Sequence, residues 1–261
     1  MLLNKTINIK GQELYFEHYN SFENRPTLVF LHDSLGSVQL WRDFPQKIAE
    51  ATQCNLFMYD RLGYGKSASM MTSKRDVNYM ELEADVLNNL LIELNIDDAI
   101  LFGHSDGGTI ALLMASKYPK NINATIVEAA HIFVEEVTLA GIYEAMDAYK
   151  NTNLAERLAK YHGDKVELLF KAWTETWTSK EYRNWSIESL LTNITSPLLF
   201  IQGEKDEYGT LEQVEKTIDK VKGEAEKFII PSVGHTPHKQ VPEIVIEKVT
   251  NYINQHLENQ F

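Results

Sequence analysis

One serine of the chain stands in a pattern that suits nucleophilic catalysis. Residues 103–107 read Gly-His-Ser-Asp-Gly, which places a glycine two positions before and two positions after Ser105. The apolar residues before this motif predict a buried strand, and those from Thr109 onward predict a helix. Glycines at these positions let strand and helix pack closely, so that a sharp turn presents the Ser105 hydroxyl. The N-terminus of the helix would offer backbone N–H groups and a partial positive charge to an oxyanion.

A serine hydroxyl becomes a strong nucleophile when a histidine removes its proton and a carboxylate orients that histidine. His235 is the most suitable of the eight histidines, because it follows the last predicted strand through a short loop and precedes the final predicted helix. His238 follows in the same segment and remains an alternative base.

Length and composition narrow the class of protein. The chain has 261 residues, of which 44% are hydrophobic and 24% charged, and this is typical of one globular domain. No segment approaches the roughly 18 consecutive apolar residues that a membrane-spanning helix requires. The first residues lack the apolar stretch of a secretion signal. We therefore expect a cytoplasmic protein that does not span a membrane.

Charge and cysteine content argue against several kinds of partner. The formal net charge of −12 repels phosphate backbones and anionic lipid, and no lysine or arginine cluster reverses that field locally. Cys54 is the single cysteine, so the chain offers neither an internal disulfide nor a cysteine-based zinc site. We expect a small-molecule substrate, no nucleic acid or membrane partner, and a monomer or homodimer.

Strand-like and helix-like segments alternate along most of the chain, which predicts an α/β fold with a mainly parallel sheet covered on both faces. Several strand segments are apolar without alternation, as expected for strands buried on both faces. The predicted strands are residues 5–10, 13–19, 26–32, 54–59, 99–104, 124–130, 197–203 and 226–231. The predicted helices are about residues 40–51, 76–95, 106–118, 210–222 and 240–257.

Residues 131–195 interrupt this alternation with a helical, aromatic segment. It holds three of the four tryptophans, among them Trp173 and Trp177. We predict a core made of residues 1–130 and 196–261, with residues 131–195 inserted as a helical cap. The rings either form the interior of a small helical subdomain or line an apolar acyl pocket.

Four segments, in one order, resemble motifs of the α/β-hydrolase superfamily. Residues 103–108 resemble its nucleophile turn, and residues 31–37 with Trp41 look like its His-Gly oxyanion loop. Residues 60–67 look like its Asp-x-x-Gly-x-Gly-x-Ser loop, and the glycine before His235 matches its Gly-His position. The resemblance is closest to the esterase and C–C hydrolase branch with helical caps. It implies an α/β-hydrolase fold with an eight-stranded, mostly parallel sheet flanked by helices.

The resemblance also implies the third member of a catalytic triad. The family places the acid just beyond the strand after the cap, where Asp206 fits the Gly-x-x-Asp spacing best. Glu204 and Glu207 are alternatives. Together with Ser105 and His235, Asp206 would form a triad that needs no metal and no cofactor.

The oxyanion loop departs from the family pattern. The expected donors are the backbone N–H groups of Asp106 and, by the register of His32, of Ser34. Asp33 stands where the family has glycine. Two carboxylates beside an oxyanion would weaken it unless they point away or are neutralised. The residues expected to contact substrate are Asp33, His104, Trp173 and Trp177.

These features predict a serine hydrolase that forms an acyl-enzyme on Ser105. Its substrate would be a carboxylic ester, or a related activated carbonyl such as a thioester, lactone or vinylogous diketone, with an apolar or aromatic acyl group. Alternatives with the same triad are a cofactor-free perhydrolase or haloperoxidase, an acyltransferase, or a lyase; a non-catalytic ligand-binding protein is a further alternative. Residues 65–67, Gly-Lys-Ser, do not form a nucleotide-binding loop, because that motif needs glycine at position 60.

Overall fold

Eight strands pair into one sheet within residues 2–258, which are the residues that this computed structural model describes. Their spatial order is β1-β2-β4-β3-β5-β6-β7-β8. The pairings of β1 with β2 and of β2 with β4 are antiparallel, and the other pairings are parallel. The strands are β1 (Leu2–Ile9), β2 (Gln12–Tyr19), β3 (Thr27–Leu31), β4 (Asn55–Tyr59), β5 (Ala99–His104), β6 (Ile122–Glu128), β7 (Leu198–Gly203) and β8 (Ala225–Ile230).

Helices cover both faces of the sheet, because alternate residues of each central strand point to opposite sides. In β3, Val29 packs into one apolar cluster with α2 and α3, whereas Phe30 packs into another with α1 and α9. The α-helices are α1 (Phe44–Thr52), α2 (Tyr79–Glu93), α3 (Asp106–Lys117), α4 (Glu136–Asn151), α5 (Leu154–His162), α6 (Val166–Trp177), α7 (Leu211–Lys220), α8 (Pro237–Gln240) and α9 (Pro242–Glu258). The predicted fold class is confirmed.

The segment between β6 and β7 contains α4, α5 and α6 and docks on loops of the sheet. His162, the last residue of α5, accepts a hydrogen bond at Nδ1 from the Gly65 N–H over 2.9 Å. Its Nε2 lies 3.0 Å from the Leu35 carbonyl oxygen, to which it donates. Lys165 Nζ donates to the Gly65 carbonyl over 2.6 Å. These contacts join the inserted helices to the loops after β3 and β4; the division into core and cap stays a prediction.

The loop at residues 60–67 is a structural junction. Asp60 Oδ1 accepts from the backbone N–H of Val38 over 2.7 Å, and Oδ2 accepts from that of Lys66 over 2.8 Å. Ser67 donates to the Asp60 carbonyl and accepts from the Tyr15 N–H. Residues 60–67 thus connect the loop after β3 with the loop after β4 and with Tyr15 in the middle of β2.

Replacing Gly107 with alanine should destabilise the fold. A Cβ atom at Gly107 would lie 2.0 Å from the Leu31 carbonyl oxygen, so β3 and α3 would have to move apart. We expect Gly107→Ala to lower the free energy of unfolding in urea by at least about 2 kcal/mol. Gly209→Ala is the matched control, since a Cβ there meets nothing closer than 3.5 Å. A loss at Gly107 no larger than the loss at Gly209 would contradict this packing argument.

Candidate active site

Ser105 occupies a sharp turn between β5 and α3. Its backbone has φ 54° and ψ −121°, a region that residues other than glycine rarely adopt. Its N–H donates to the Glu128 carbonyl over 2.9 Å, which fixes the turn to the end of β6. A Cβ at Gly103 would lie 2.1 Å from the Gly107 carbonyl oxygen. Strand and helix therefore approach as closely as the two glycines of the motif predict.

The structure brings Ser105, His235 and Asp206 together in hydrogen-bonding order. Ser105 Oγ lies 3.0 Å from His235 Nε2, and both Asp206 carboxylate oxygens lie 2.9 Å from His235 Nδ1. Because a carboxylate only accepts, Nδ1 carries the proton and Nε2 is free to accept the proton of Ser105. The serine is thus placed beside a base with a fixed tautomer.

Further hydrogen bonds hold the Asp206 carboxylate in this position. Its Oδ1 accepts from the Tyr208 N–H over 2.8 Å, and its Oδ2 accepts from Gln202 Nε2 over 2.7 Å. Burial would raise the pKa of Asp206, but the adjoining His235 and the Tyr208 N–H hold it below its ordinary value. The same carboxylate raises the pKa of His235 above its ordinary value, against the lowering effect of burial.

The alternative acids and the alternative base have other hydrogen-bond partners than the Ser105 hydroxyl and the His235 imidazole. Glu204 accepts from the Ser232 N–H, and Glu207 Oε2 accepts from the backbone N–H of His235 over 3.1 Å. Glu207 therefore holds the backbone of His235 and not its imidazole. His238 Nδ1 lies 2.5 Å from Glu128 Oε1, so this ring is engaged with a different carboxylate.

A cavity of about 230 Å³ opens above Ser105. The predicted site residues that line it are Asp33, Ser34, Ser105, Asp106, Trp173, Trp177 and His235, and the alternative acid Glu207 lines it too. Sequence reasoning missed Tyr208, His131, Thr138 and Ile142 in its wall. The one local signal in the sequence for Tyr208 is its position two residues after Asp206. In the structure, the centroid of its ring lies 4.7 Å from that of His235.

Asp106 has partners that hold its carboxylate. Its Oδ2 accepts from the Tyr79 hydroxyl over 3.0 Å and lies 3.8 Å from Arg61 Nη1. Trp177 Nε1 donates in turn to the Tyr79 oxygen over 3.1 Å. The Asp106 carboxylate beside Ser105 is therefore compensated by the nearby Arg61 guanidinium and by the hydrogen bond from the Tyr79 hydroxyl.

Asp33 lines the cavity as an ionised carboxylate. Burial would raise its pKa, but the positive charge of Lys239 holds it well below its ordinary value. The Asp33 carbonyl accepts from Arg61 Nη2 over 2.7 Å, which anchors the backbone of the loop. This side chain thus adds negative charge to the cavity wall.

His104 does not face the cavity, contrary to the expectation that it contacts substrate. Its side chain is 1% exposed, and Nε2 lies 2.8 Å from the His235 carbonyl oxygen. With Glu128 and His238 it forms a buried group whose possible ligand atoms lie within 4.8 Å of one another. The short His238–Glu128 contact and the His104–carbonyl contact are hydrogen bonds, and a metal ion would have to displace both. The expected absence of a metal stays a prediction.

The sequence profile of the family described as alpha/beta hydrolase fold matches residues 26–176, more than half of the chain. The chain belongs to the α/β-hydrolase fold family. A provisionally named esterase/lipase of Haemophilus influenzae is 23% identical to this α/β hydrolase over 251 residues, which cover 89% of this chain and 85% of that protein. A 2-succinyl-6-hydroxy-2,4-cyclohexadiene-1-carboxylate synthase of Enterobacter sp. (strain 638) is 26% identical over 250 residues, 84% of this chain and 88% of that protein.

Solved structures share the fold of this α/β hydrolase. MGS-M2, an alpha/beta hydrolase enzyme from a Medee basin deep-sea metagenome library, superposes with a TM-score of 0.79. The two chains are 21% identical, and the match covers 95% of this chain and 96% of the other. Within the described residues of this α/β hydrolase, none of the helices has the length and apolar character to cross a membrane.

The raised pKa of His235 predicts the pH dependence of activity. The base must be neutral to accept a proton, so kcat/KM should fall with decreasing pH through a pKa above the ordinary histidine value. In Asp206→Asn the largest raising contribution is gone while burial still lowers the pKa of His235, so the acid limb should move to lower pH. We also expect kcat to fall by about 10³–10⁴-fold.

Glu204→Gln is the control for Asp206→Asn, because it makes the same carboxylate-to-amide change on a side chain whose partners are the Ser232 N–H and the Lys205 ammonium. Its pH profile should match the wild type. An Asp206→Asn variant with an unchanged acid limb would contradict the role of Asp206 in setting the pKa of His235.

Proposed function

We propose that this α/β hydrolase is a serine hydrolase that cleaves a small carboxylic ester or a related activated carbonyl. The observation that carries the proposal is the continuous hydrogen-bonded series of Ser105 Oγ, His235 Nε2, His235 Nδ1 and Asp206. Ser105 is the nucleophile, His235 the general base and Asp206 the orienting acid.

The reaction proceeds in two acyl-transfer steps. His235 Nε2 takes the Ser105 proton while Oγ attacks the carbonyl carbon, and the carbonyl oxygen becomes an oxyanion. The imidazolium then protonates the leaving alcohol as the C–O bond breaks, which leaves the acyl group on Ser105. Water, deprotonated by His235, attacks the acyl-enzyme and releases the carboxylic acid and the free serine.

The proposed oxyanion donors are the backbone N–H groups of Asp106 and Ser34. Asp106 is the first residue of α3, where N–H groups lack partners within the helix. Its carboxylate is held by Tyr79 and by the nearby Arg61, which limits its repulsion of an oxyanion. A helix N-terminus with its acidic side chain engaged elsewhere can still stabilise negative charge.

The acyl group is proposed to be apolar or aromatic and compact. Trp173, Trp177 and Ile142 contribute apolar wall to a cavity of about 230 Å³. That volume lies below the roughly 300–1,000 Å³ of drug-sized ligand sites, so short acyl chains or a single ring fit best.

Ser105→Ala should abolish ester hydrolysis and labelling by a fluorophosphonate, because the alanine has no oxygen to acylate. The measurements are turnover of p-nitrophenyl butyrate and mass spectrometry of the labelled protein, with circular dichroism as a check of folding. Ser116→Ala is the control, since Ser116 lies on the same helix and only donates to the Leu190 carbonyl. Turnover that survives in Ser105→Ala would refute the nucleophile. A wild type that neither reacts nor turns over would favour a ligand-binding protein.

Trp173→Ala should shift the preference toward longer acyl chains, because it removes a large ring from the cavity wall. We expect the ratio of kcat/KM for an octanoyl ester to that for a butyryl ester to rise by about tenfold. Tyr143→Ala, an exposed ring of the same inserted segment, is the control and should leave the ratio unchanged. An unchanged ratio in Trp173→Ala would place the acyl group elsewhere.

A further inference from the structure

The end of β6 carries a buried carboxylate that the proposed reaction does not use. Glu128 is the last residue of this strand, and its side chain is 0% exposed. It lies between β5 and β7, paired in register with His104 on one side and with Ile201 on the other. Placing a charge in the interior of a protein costs free energy unless specific partners compensate it. The partners of Glu128 therefore indicate what the carboxylate does.

Glu128 contacts both segments that carry the proposed nucleophile and base. Its backbone carbonyl accepts from the Ser105 N–H over 2.9 Å. Its side-chain Oε1 accepts from His238 Nδ1 over 2.5 Å and from the His238 backbone N–H over 3.4 Å. His238 belongs to α8, the short helix that begins directly after the His235 loop. One residue thus links the serine turn to the segment that follows the base.

His104 forms a second link between the same two segments. It precedes Ser105, and its Nε2 lies 2.8 Å from the His235 carbonyl oxygen. A carbonyl oxygen only accepts, so Nε2 carries the proton. Burial is the main cause that lowers the pKa of His104 to about 3, which keeps the ring neutral. Glu207 accepts from the His235 N–H, so both the backbone N–H and the backbone carbonyl of His235 are hydrogen-bonded.

We propose that Glu128 and His104 are positioning residues that set the distance between Ser105 Oγ and His235 Nε2, Glu128 through His238 and His104 through the His235 carbonyl. The inference rests on the proposed function. Both residues act without touching substrate. Proton transfer between Ser105 and His235 depends on a separation of 3.0 Å, and a shift of about 1 Å in such a geometry can cost about 100-fold in rate.

The first test compares Glu128→Leu with Glu128→Gln. Leucine fills similar space but cannot accept from His238, whereas glutamine keeps an acceptor oxygen at the position of Oε1. We expect Glu128→Leu to lower kcat by about 10–100-fold with KM within about threefold. Glu128→Gln should recover kcat to within about threefold of the wild type. Hydrogen exchange of residues 232–241, measured on the same samples, should be faster in Glu128→Leu and close to the wild type in Glu128→Gln.

Thr125→Val is the matched control for lost stability. Thr125 lies on the same strand, is fully buried and has a hydrogen bond with Ser196 over 3.1 Å. Its replacement removes a buried hydrogen bond without touching the His235 segment, so kcat and exchange at residues 232–241 should stay at wild-type values. If Glu128→Leu merely loses stability, as Thr125→Val does, with unchanged kcat and unchanged exchange, the positioning role is refuted.

The second test uses His104 in case Glu128→Leu does not fold. His104→Gln retains an amide N–H near the position of Nε2 and should keep kcat within about fivefold, whereas His104→Leu should lower kcat by at least tenfold. Equal kcat values in the two variants would overturn the proposal for His104. Ser105→Ala in the same assay separates the proposed function from the positioning role. If wild-type turnover does not depend on Ser105, the proposed function is refuted. The hydrogen-exchange comparison still tests the positioning role in that case.

Discussion

The hydrogen bond between Ser105 and His235 joins two residues that lie 130 positions apart in the chain. It can form because both residues follow parallel strands of one sheet. Ser105 comes directly after β5, Asp206 follows β7, and His235 follows β8. The carboxyl ends of parallel strands meet at one edge of a sheet, and side chains that follow them converge there. The site therefore depends on the strand order β5-β6-β7-β8. That order depends in turn on the apolar runs that bury β5, β6 and β7 on both faces.

Negative charge is the second constraint, since several carboxylates lie within or beneath one small cavity. Three of these carboxylates have specific partners. Asp206 is paired with His235, Glu128 with His238, and Asp106 lies beside Arg61 and Tyr79. These pairings make an acidic site compatible with an oxyanion mechanism, because the charges are engaged away from the place where the oxyanion would form. Asp33 differs, since its compensation comes from charges around it and its carboxylate stays in the cavity wall.

Sequence reasoning predicted the sheet and the serine turn because these depend on local patterns. Doubly buried strands read as continuous apolar runs, and two glycines around Ser105 predict a close strand–helix approach that the structure confirms. Helix ends were less accurate. The final helix was predicted from residue 240, but Val241 before Pro242 is not helical, with φ −138° and ψ 57°, and this separates α8 from α9.

Contacts between distant segments could not be predicted from local patterns. Glu128 contacts His238 across 110 residues, and Asp106 contacts Tyr79 across 27. Neither contact is indicated by a helical or strand periodicity or by a motif spacing in the sequence. A hint for Glu128 was available, since it is the single carboxylate of β6 and directly follows the apolar pair Ile126 and Val127. The contact of His104 could not be predicted either. Its position beside the serine suggested contact with substrate, but its ring lies against the His235 carbonyl oxygen.

The inserted helices are joined to the site by backbone groups, and this bears on how substrate choice and chemistry are separated. His162 bridges the Gly65 N–H and the Leu35 carbonyl, and Thr138 donates to the Tyr208 carbonyl over 2.6 Å. Gly141 packs against the Tyr208 ring, where a Cβ would lie 2.9 Å away. These contacts fix α4 and α5 over the loops that carry Ser34 and Asp206. Of the two wall-forming rings of α6, Trp177 is hydrogen-bonded to Tyr79, whereas Trp173 makes ring contacts with Phe170 and Tyr208. A change at Trp173 can therefore alter the cavity while the hydrogen bonds among Ser105, His235 and Asp206, in which Trp173 takes no part, are retained.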